Sequence, residues 1–150
     1  MTIISKSEAE TEAAGERFAK TLPDGAVVAL YGDLGAGKTV FARGVAQAFG
    51  IAHVSSPTFT IVCEYPTEPK LYHFDAYRLS DADELYAIGF SDYLGEHGLI
   101  LMEWANLVET ALPKDRLDVT IVGSGMDART VTLEPRGERM EGLFNEDSCI

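Results

Sequence analysis

The run Gly32-Asp33-Leu34-Gly35-Ala36-Gly37-Lys38-Thr39 places glycine, lysine and hydroxyl at the G-x-x-x-x-G-K-T spacing of a phosphate loop. Glycines at these positions let backbone N–H groups turn inward around phosphate oxygens. Lys38 has the charge and reach for terminal phosphates, and the Thr39 hydroxyl suits Mg²⁺. A purely structural glycine turn would need neither the lysine nor the hydroxyl. The chemistry implied is nucleoside triphosphate binding, with Asp33, Leu34, Gly35, Ala36, Gly37, Lys38 and Thr39 holding the phosphates.

Hydrolysis asks for more than bound phosphate, and Mg²⁺ asks for oxygen ligands. Glu103 follows the apolar run Leu99-Ile100-Leu101-Met102, as expected for an acid held at a strand end beside the loop. It reads as metal-linked, or else as an ordinary helix-start carboxylate before Trp104-Ala105. Asp75 ends the strand-like His73-Phe74-Asp75 and suits water positioning, a metal-bound water or proton acceptance; its bland alternative is a turn cap or salt bridge. Thr58, in Ser56-Pro57-Thr58-Phe59, can bring a hydroxyl to metal or water from a loop that Pro57 restricts. Ser56 has a weaker case. Tyr77 and Arg78 are candidates to close the pocket. Arg129 either reaches phosphate or faces solvent, and Trp104 is either core or nucleotide border. His53, His73 and His97 do not form a metal-ligand pattern, and His73 reads as structural.

The elements that must position these groups follow from periodicity. Ser7-Glu8-Ala9-Glu10 has capping-box spacing, and Ala14, Phe18 and Leu22 recur on one helix face. On that face count Thr11 points to solvent. Pro23-Asp24-Gly25 turns the chain into the nearly all-apolar run from Ala26 to Tyr31, a buried central strand. Phe41, Val45, Ala48 and Phe49 mark a second helix stopped near Gly50, and the small residues Ala42, Gly44 and Ala46 predict close packing against the sheet. Phe59 to Tyr65, Leu71 to Asp75 and Leu99 to Met102 read as strands. Asp81 to Ile88 reads as a short helix burying Leu85 and Ile88. Asn106 to Leu112 is too short to classify. Leu117 to Val122 and Arg129 to Leu133 predict a hairpin or strands flanking the main sheet.

The sum is an α/β protein: a P-loop NTPase-like three-layer fold with a central, mostly parallel sheet and ligand beyond the strands' C-terminal ends. One domain is expected over residues 1–134. Residues 135–150, with only Met140, Leu143, Phe144 and Ile150 as apolar anchors, read as a mobile tail or lightly packed extension. No apolar stretch is long enough to span a membrane, and the first residues lack a signal peptide's basic start and apolar core, so a cytoplasmic location is expected. Cys63 reads as core and Cys149 as exposed, with no disulfide framework. The formal charge of −12 repels a nucleic-acid backbone, and no basic cluster offsets it, so direct binding to DNA or RNA is disfavoured.

Taken together, the phosphate loop, Ser56-Pro57-Thr58-Phe59-Thr60, His73-Phe74-Asp75-Ala76-Tyr77-Arg78-Leu79 and Glu103-Trp104 resemble, in order, the motifs of the TsaE/YjeE family. The likeness runs from about Ser7 to Leu133. It implies the ATPase component of bacterial tRNA threonylcarbamoyladenosine (t6A) biosynthesis, acting with ATP and Mg²⁺ on the TsaB and TsaD partners. TsaD performs the transfer at adenosine 37 and the partner assembly mainly holds the tRNA. Carried across by motif, Lys38 holds phosphates, Thr39 and Glu103 hold Mg²⁺, Asp75 and Thr58 are needed for hydrolysis, and Thr11 lies near the adenine.

Rival readings use the same loop differently. A small-molecule kinase would need an acceptor pocket and an Arg-bearing lid, and only scattered Arg43, Arg78 and Arg129 are available. A GTPase would need N-K-x-D, which neither Asn106 nor Asn145 begins, although Asp92-Tyr93-Leu94-Gly95 formally fits D-x-x-G. A non-hydrolysing nucleotide-dependent interaction module is the third.

Overall fold

The computed structural model describes residues 1–33, 35–51, 61–94 and 98–140. In chain order these form β1 (Thr2–Ser5), α1 (Glu8–Ala19), β2 (Val27–Tyr31), α2 (Lys38–Ala48), β3 (Val62–Tyr65), β4 (Leu71–Asp75), α3 (Ala82–Ala87), β5 (Leu99–Glu103), β6 (Arg116–Val122) and β7 (Arg129–Arg136). One sheet carries all the strands in the order β1-β7-β6-β2-β5-β4-β3. The central strands β6, β2, β5 and β4 run parallel, while β3 on one edge and β7 and β1 on the other are antiparallel to their neighbours. This is the mixed α/β architecture, with a parallel sheet at its centre, that the sequence predicts.

β2 shows why the fold has three layers. Alternate side chains of a strand leave opposite faces, and here both faces are buried. Val28 and Leu30 join Phe18, Phe41 and Val45 beneath α1 and α2. Val27 and Ala29 join Phe74, Leu85 and Phe90 on the other side, beneath α3 and a set of 3-10 turns. Fully burying one such phenylalanine contributes about 1.5–3 kcal/mol, so both layers hold the strand in place.

Local signals set the helix starts. Ser7 caps α1 by accepting from the Glu10 N–H, and Glu10 Oε2 accepts in return from the Lys6 N–H at 2.6 Å, one residue before the usual capping-box donor. Asp81 caps α3 by accepting from the Glu84 N–H.

Several expectations need correction. Thr2–Ser5, outside the elements that periodicity predicts, is an edge strand against β7. α1 stops at Ala19, so Leu22 lies beyond it. Gly44 faces α1 rather than the sheet: a Cβ there would stand 1.9 Å from the Glu12 carbonyl oxygen. Ala42 and Ala46 are buried as expected. Ile88 is exposed, because α3 ends at Ala87 and turns it outward, while Leu85 is buried. Cys63 is only half-buried, on an edge strand. The unclassified stretch after Ala105 forms two 3-10 turns, Ala105–Leu107 and Glu109–Ala111. β6 and β7 form a hairpin and also extend the main sheet, and β7 runs on through Pro135 and Arg136. Met140, one of the anchors expected for the C-terminal extension, is buried against the α1–α2 core, and residues 141–150 lie outside the described residues. Phe59 and Thr60 of the expected strand, with Cys149, lie outside the described residues.

Candidate functional site

Parallel strands end at the same edge of a sheet, and this brings the candidate groups together. Glu103, the last residue of β5, is in register with Leu30 on one side and Asp75 on the other. β2 feeds the phosphate loop directly, and α2 rises from it with Lys38 as its first residue. Gly32 opens the loop at φ 148°, where a Cβ would meet the Ile121 carbonyl oxygen at 2.5 Å. Gly37, at φ 111°, is the α2 N-cap and offers no side-chain acceptor to the helix's first N–H groups. Those free donors and the helix dipole suit an anion.

Lys38 is buried, and its ammonium donates to the Gly32 carbonyl and to the Asp33 carbonyl at 3.3 Å. It also lies 3.6 Å from the centre of the Trp104 ring. Burial lowers its pKa, opposed by the charges of Glu103, Asp33 and Asp75. Trp104 is the one non-glycine residue with positive φ among the described residues, at 57°. A bulky side chain held in that region costs about 1–3 kcal/mol, and here it places an indole face over the lysine.

Glu103 is buried at 3% exposure. Its Oε1 accepts from the Thr39 hydroxyl at 3.5 Å, and its Oε2 lies 2.6 Å from His73 Nε2. A carboxylate only accepts, so this contact sets the proton on Nε2. His73 Nδ1 has no hydrogen-bond partner among the described residues. His73 is thus structural as expected, but what it holds is the site's buried acid. Asp75 Oδ1 accepts from the Tyr77 N–H at 2.9 Å, the turn-cap geometry foreseen as its alternative. Burial raises the Asp75 pKa; the Tyr77 N–H opposes this and the Glu103 charge adds to it.

These groups line a cavity of about 670 Å³. Its floor includes Gly37, Lys38 and Thr39, with Asp75 and Glu103 also in its lining. Ser5, Ser7 and Thr11 contribute another part of the wall, and Met126 and Asp127 come from the β6–β7 turn. Thr11 is not solvent-facing: it is 2% exposed and its hydroxyl lies 2.6 Å from Ser5 Oγ. Its spacing from Ala14 and Phe18, three and seven residues on, already carried that signal. Tyr77 lines the cavity and packs on Trp104 at 4.9 Å between ring centres; Arg78 is exposed and does not line it. Arg129 bonds the loop backbone, donating to the Ala36 carbonyl at 2.8 Å and the Gly35 carbonyl at 3.3 Å, an arrangement no motif announces. Leu34, His53, Ser56, Thr58 and His97 lie outside the described residues.

Among the described residues no group of three or more His, Cys, Asp or Glu side chains could hold a metal. Thr39 and Glu103 each present a hard oxygen to the cavity, the ligand type that Mg²⁺ takes in ones and twos beside phosphate and water. No described helix is long and apolar enough to cross a membrane.

The family model described as threonylcarbamoyl adenosine biosynthesis protein TsaE matches residues 5–131. The tRNA threonylcarbamoyladenosine biosynthesis protein TsaE of Bacillus subtilis is 43% identical over 139 residues, covering 91% of this chain and 87% of that protein. The protein of the same name from Treponema pallidum is 34% identical over 122 residues, covering 81% and 90%. Among solved structures, the crystal structure of Bacillus subtilis YdiB superposes with a TM-score of 0.80 at 36% identity, covering 95% of this chain and 90% of that one.

Proposed function

Because the chain belongs to the TsaE family, we propose that it is a Mg²⁺-dependent ATPase that supports t6A modification of tRNA by acting on a TsaB–TsaD assembly. The observation that carries this reading is the meeting of Lys38 and Thr39, at the start of α2, with Glu103 and Asp75 from adjacent parallel strands around one cavity.

In this reading the triphosphate lies against the loop and the α2 N-terminus. Lys38 exchanges the Gly32 and Asp33 carbonyls for phosphate oxygens, and its ammonium offsets charge that grows during transfer. Thr39 and Glu103 hold Mg²⁺, which when bound screens the phosphate oxygens and steadies the leaving diphosphate. His73 keeps the Glu103 carboxylate turned toward Thr39. Asp75, with Oδ1 tied to the Tyr77 N–H, orients the attacking water through its other oxygen. Thr58 assists hydrolysis, and Thr11 borders the adenine. Asp33, Leu34, Gly35, Ala36 and Gly37 cradle the phosphates with Lys38 and Thr39. The charge of −12 leaves tRNA to the partners.

The test is ATP hydrolysis by the purified chain with Mg²⁺, alone and with TsaB, TsaD and tRNA. Stimulation by the assembly is expected. ATP that is bound but stays intact in the full assembly would replace the ATPase by a nucleotide-ordered interaction module.

A further inference from the structure

Arg129, the first residue of β7, spans two segments far apart in sequence. Its Nε donates to the Ala36 carbonyl at 2.8 Å and its Nη2 to the Gly35 carbonyl at 3.3 Å. On the other side Nη1 donates to the Asp127 carbonyl at 2.6 Å and Nη2 to the Gly125 carbonyl at 3.2 Å. A rigid, planar fork with several donors suits such a bridge; a lysine ammonium on a flexible stem does not reproduce it.

A trans peptide is planar, with its C=O and N–H pointing in opposite directions. Fixing the Ala36 carbonyl on Arg129 therefore fixes the Gly37 N–H pointing away from Arg129. Gly37 has no Cβ and sits at φ 111°, so no side chain on its own side restrains that peptide from rotating. The next peptide is already held, since the Gly37 carbonyl accepts from the Phe41 N–H at 3.0 Å. The Ala36 N–H is likewise committed, to the Asp33 carbonyl at 3.0 Å. The Ala36–Gly37 peptide is thus held in place by a side chain from the far hairpin.

We infer that Arg129 is a positioning residue: it orients the Gly37 N–H toward bound phosphate and ties the β6–β7 turn to the phosphate loop. This rests on the nucleotide-binding reading above, but it does not place Arg129 on the phosphate itself. Arg129 keeps its carbonyl partners when nucleotide arrives, whereas Lys38 must leave its own. The Gly125–Asp127 turn, which lines the same cavity and carries the fully exposed Met126, is steadied through the same side chain.

The test compares wild type, Arg129→Ala and Arg129→Lys. ADP and inorganic tripolyphosphate are titrated by calorimetry, and the Gly37 amide is followed in ¹H–¹⁵N spectra. Arg129→Ala should bind both ligands about tenfold more weakly, a loss near 1.4 kcal/mol, and should lose the ligand-induced shift of the Gly37 resonance. Arg129→Lys, with one carbonyl contact instead of a fork, should fall between. If Arg129→Ala does not fold, the Lys variant and Arg129→Gln carry the comparison. Wild-type ligand affinities with an unchanged Gly37 shift in the variants would overturn the inference. A wild type that binds neither ligand would overturn the nucleotide reading and this inference with it.

Discussion

At the scale of single residues, motif and contact carry different information. Lys38 is legible from spacing because phosphate loops need a lysine there. Its resting partners are not, because Trp104 is 66 positions away along the chain and meets it only through the β2–β5 pairing. Trp104 is the sole tryptophan, so its emission reports the contact. Lys38→Ala is expected to alter Trp104 emission without nucleotide, through loss of a cation over the indole face, and to cut ATP turnover sharply. An unchanged emission spectrum would refute the contact, and unchanged turnover would refute the role. Glu103 was legible as an acid after an apolar run. Its grip on His73 was not, since alternation places His73 on a strand face but names no neighbour across the sheet.

At the scale of elements, the loop is only as steady as the helix behind it. α1 and α2 approach so closely that Gly44 meets the Glu12 carbonyl and Gly15 meets the Phe41 carbonyl. Alanine is intrinsically the better helix former by about 1 kcal/mol. At Gly44 that gain is outweighed, because a Cβ 1.9 Å from a backbone oxygen forces the helices apart. Gly44→Ala is expected to destabilise the protein by about 2 kcal/mol or more, measured by urea unfolding. A variant as stable as wild type would show that the helices do not pack this tightly. Periodicity found both helices, and small residues signalled close packing. The partner of Gly44 is a helix and not the predicted sheet, because a glycine reports that something approaches, not whether it is a sheet or a helix. β1 is not legible in the sequence because a short edge strand takes its pairing from β7 rather than from its own pattern.

At the scale of the molecule, a buried phenol beside acidic groups sets a pH limit away from the cavity. Asp118, buried in β6, accepts from Arg116 at 2.8 Å and from Arg136. Burial, then the nearby charges of Asp118 and Glu109, push the Tyr31 phenol up to about 12 from its ordinary value of 10.0. The folded protein therefore keeps a proton that the unfolded chain releases as pH rises through that window. Stability from this group is full below pH ~10 and is lost progressively toward pH ~12. Tyr31→Phe should lose less stability than wild type between pH 8 and pH 11 in urea unfolding. Equal losses in the two proteins would refute the shift. The same overall acidity supports the proposal that partner proteins hold the tRNA.

The linear chain by itself determined the phosphate-loop motif, the helix starts and the buried strands. Each depends on residue type and short-range spacing, through backbone freedom at glycine, capping geometry and the periods of helix and strand. Only the tertiary structure decided that Thr11 is buried, that His73 holds Glu103, that Trp104 covers Lys38 and that Arg129 grips the loop. These are contacts between segments joined by strand order and register, and a local pattern can specify which face a side chain takes but not which distant residue meets it there.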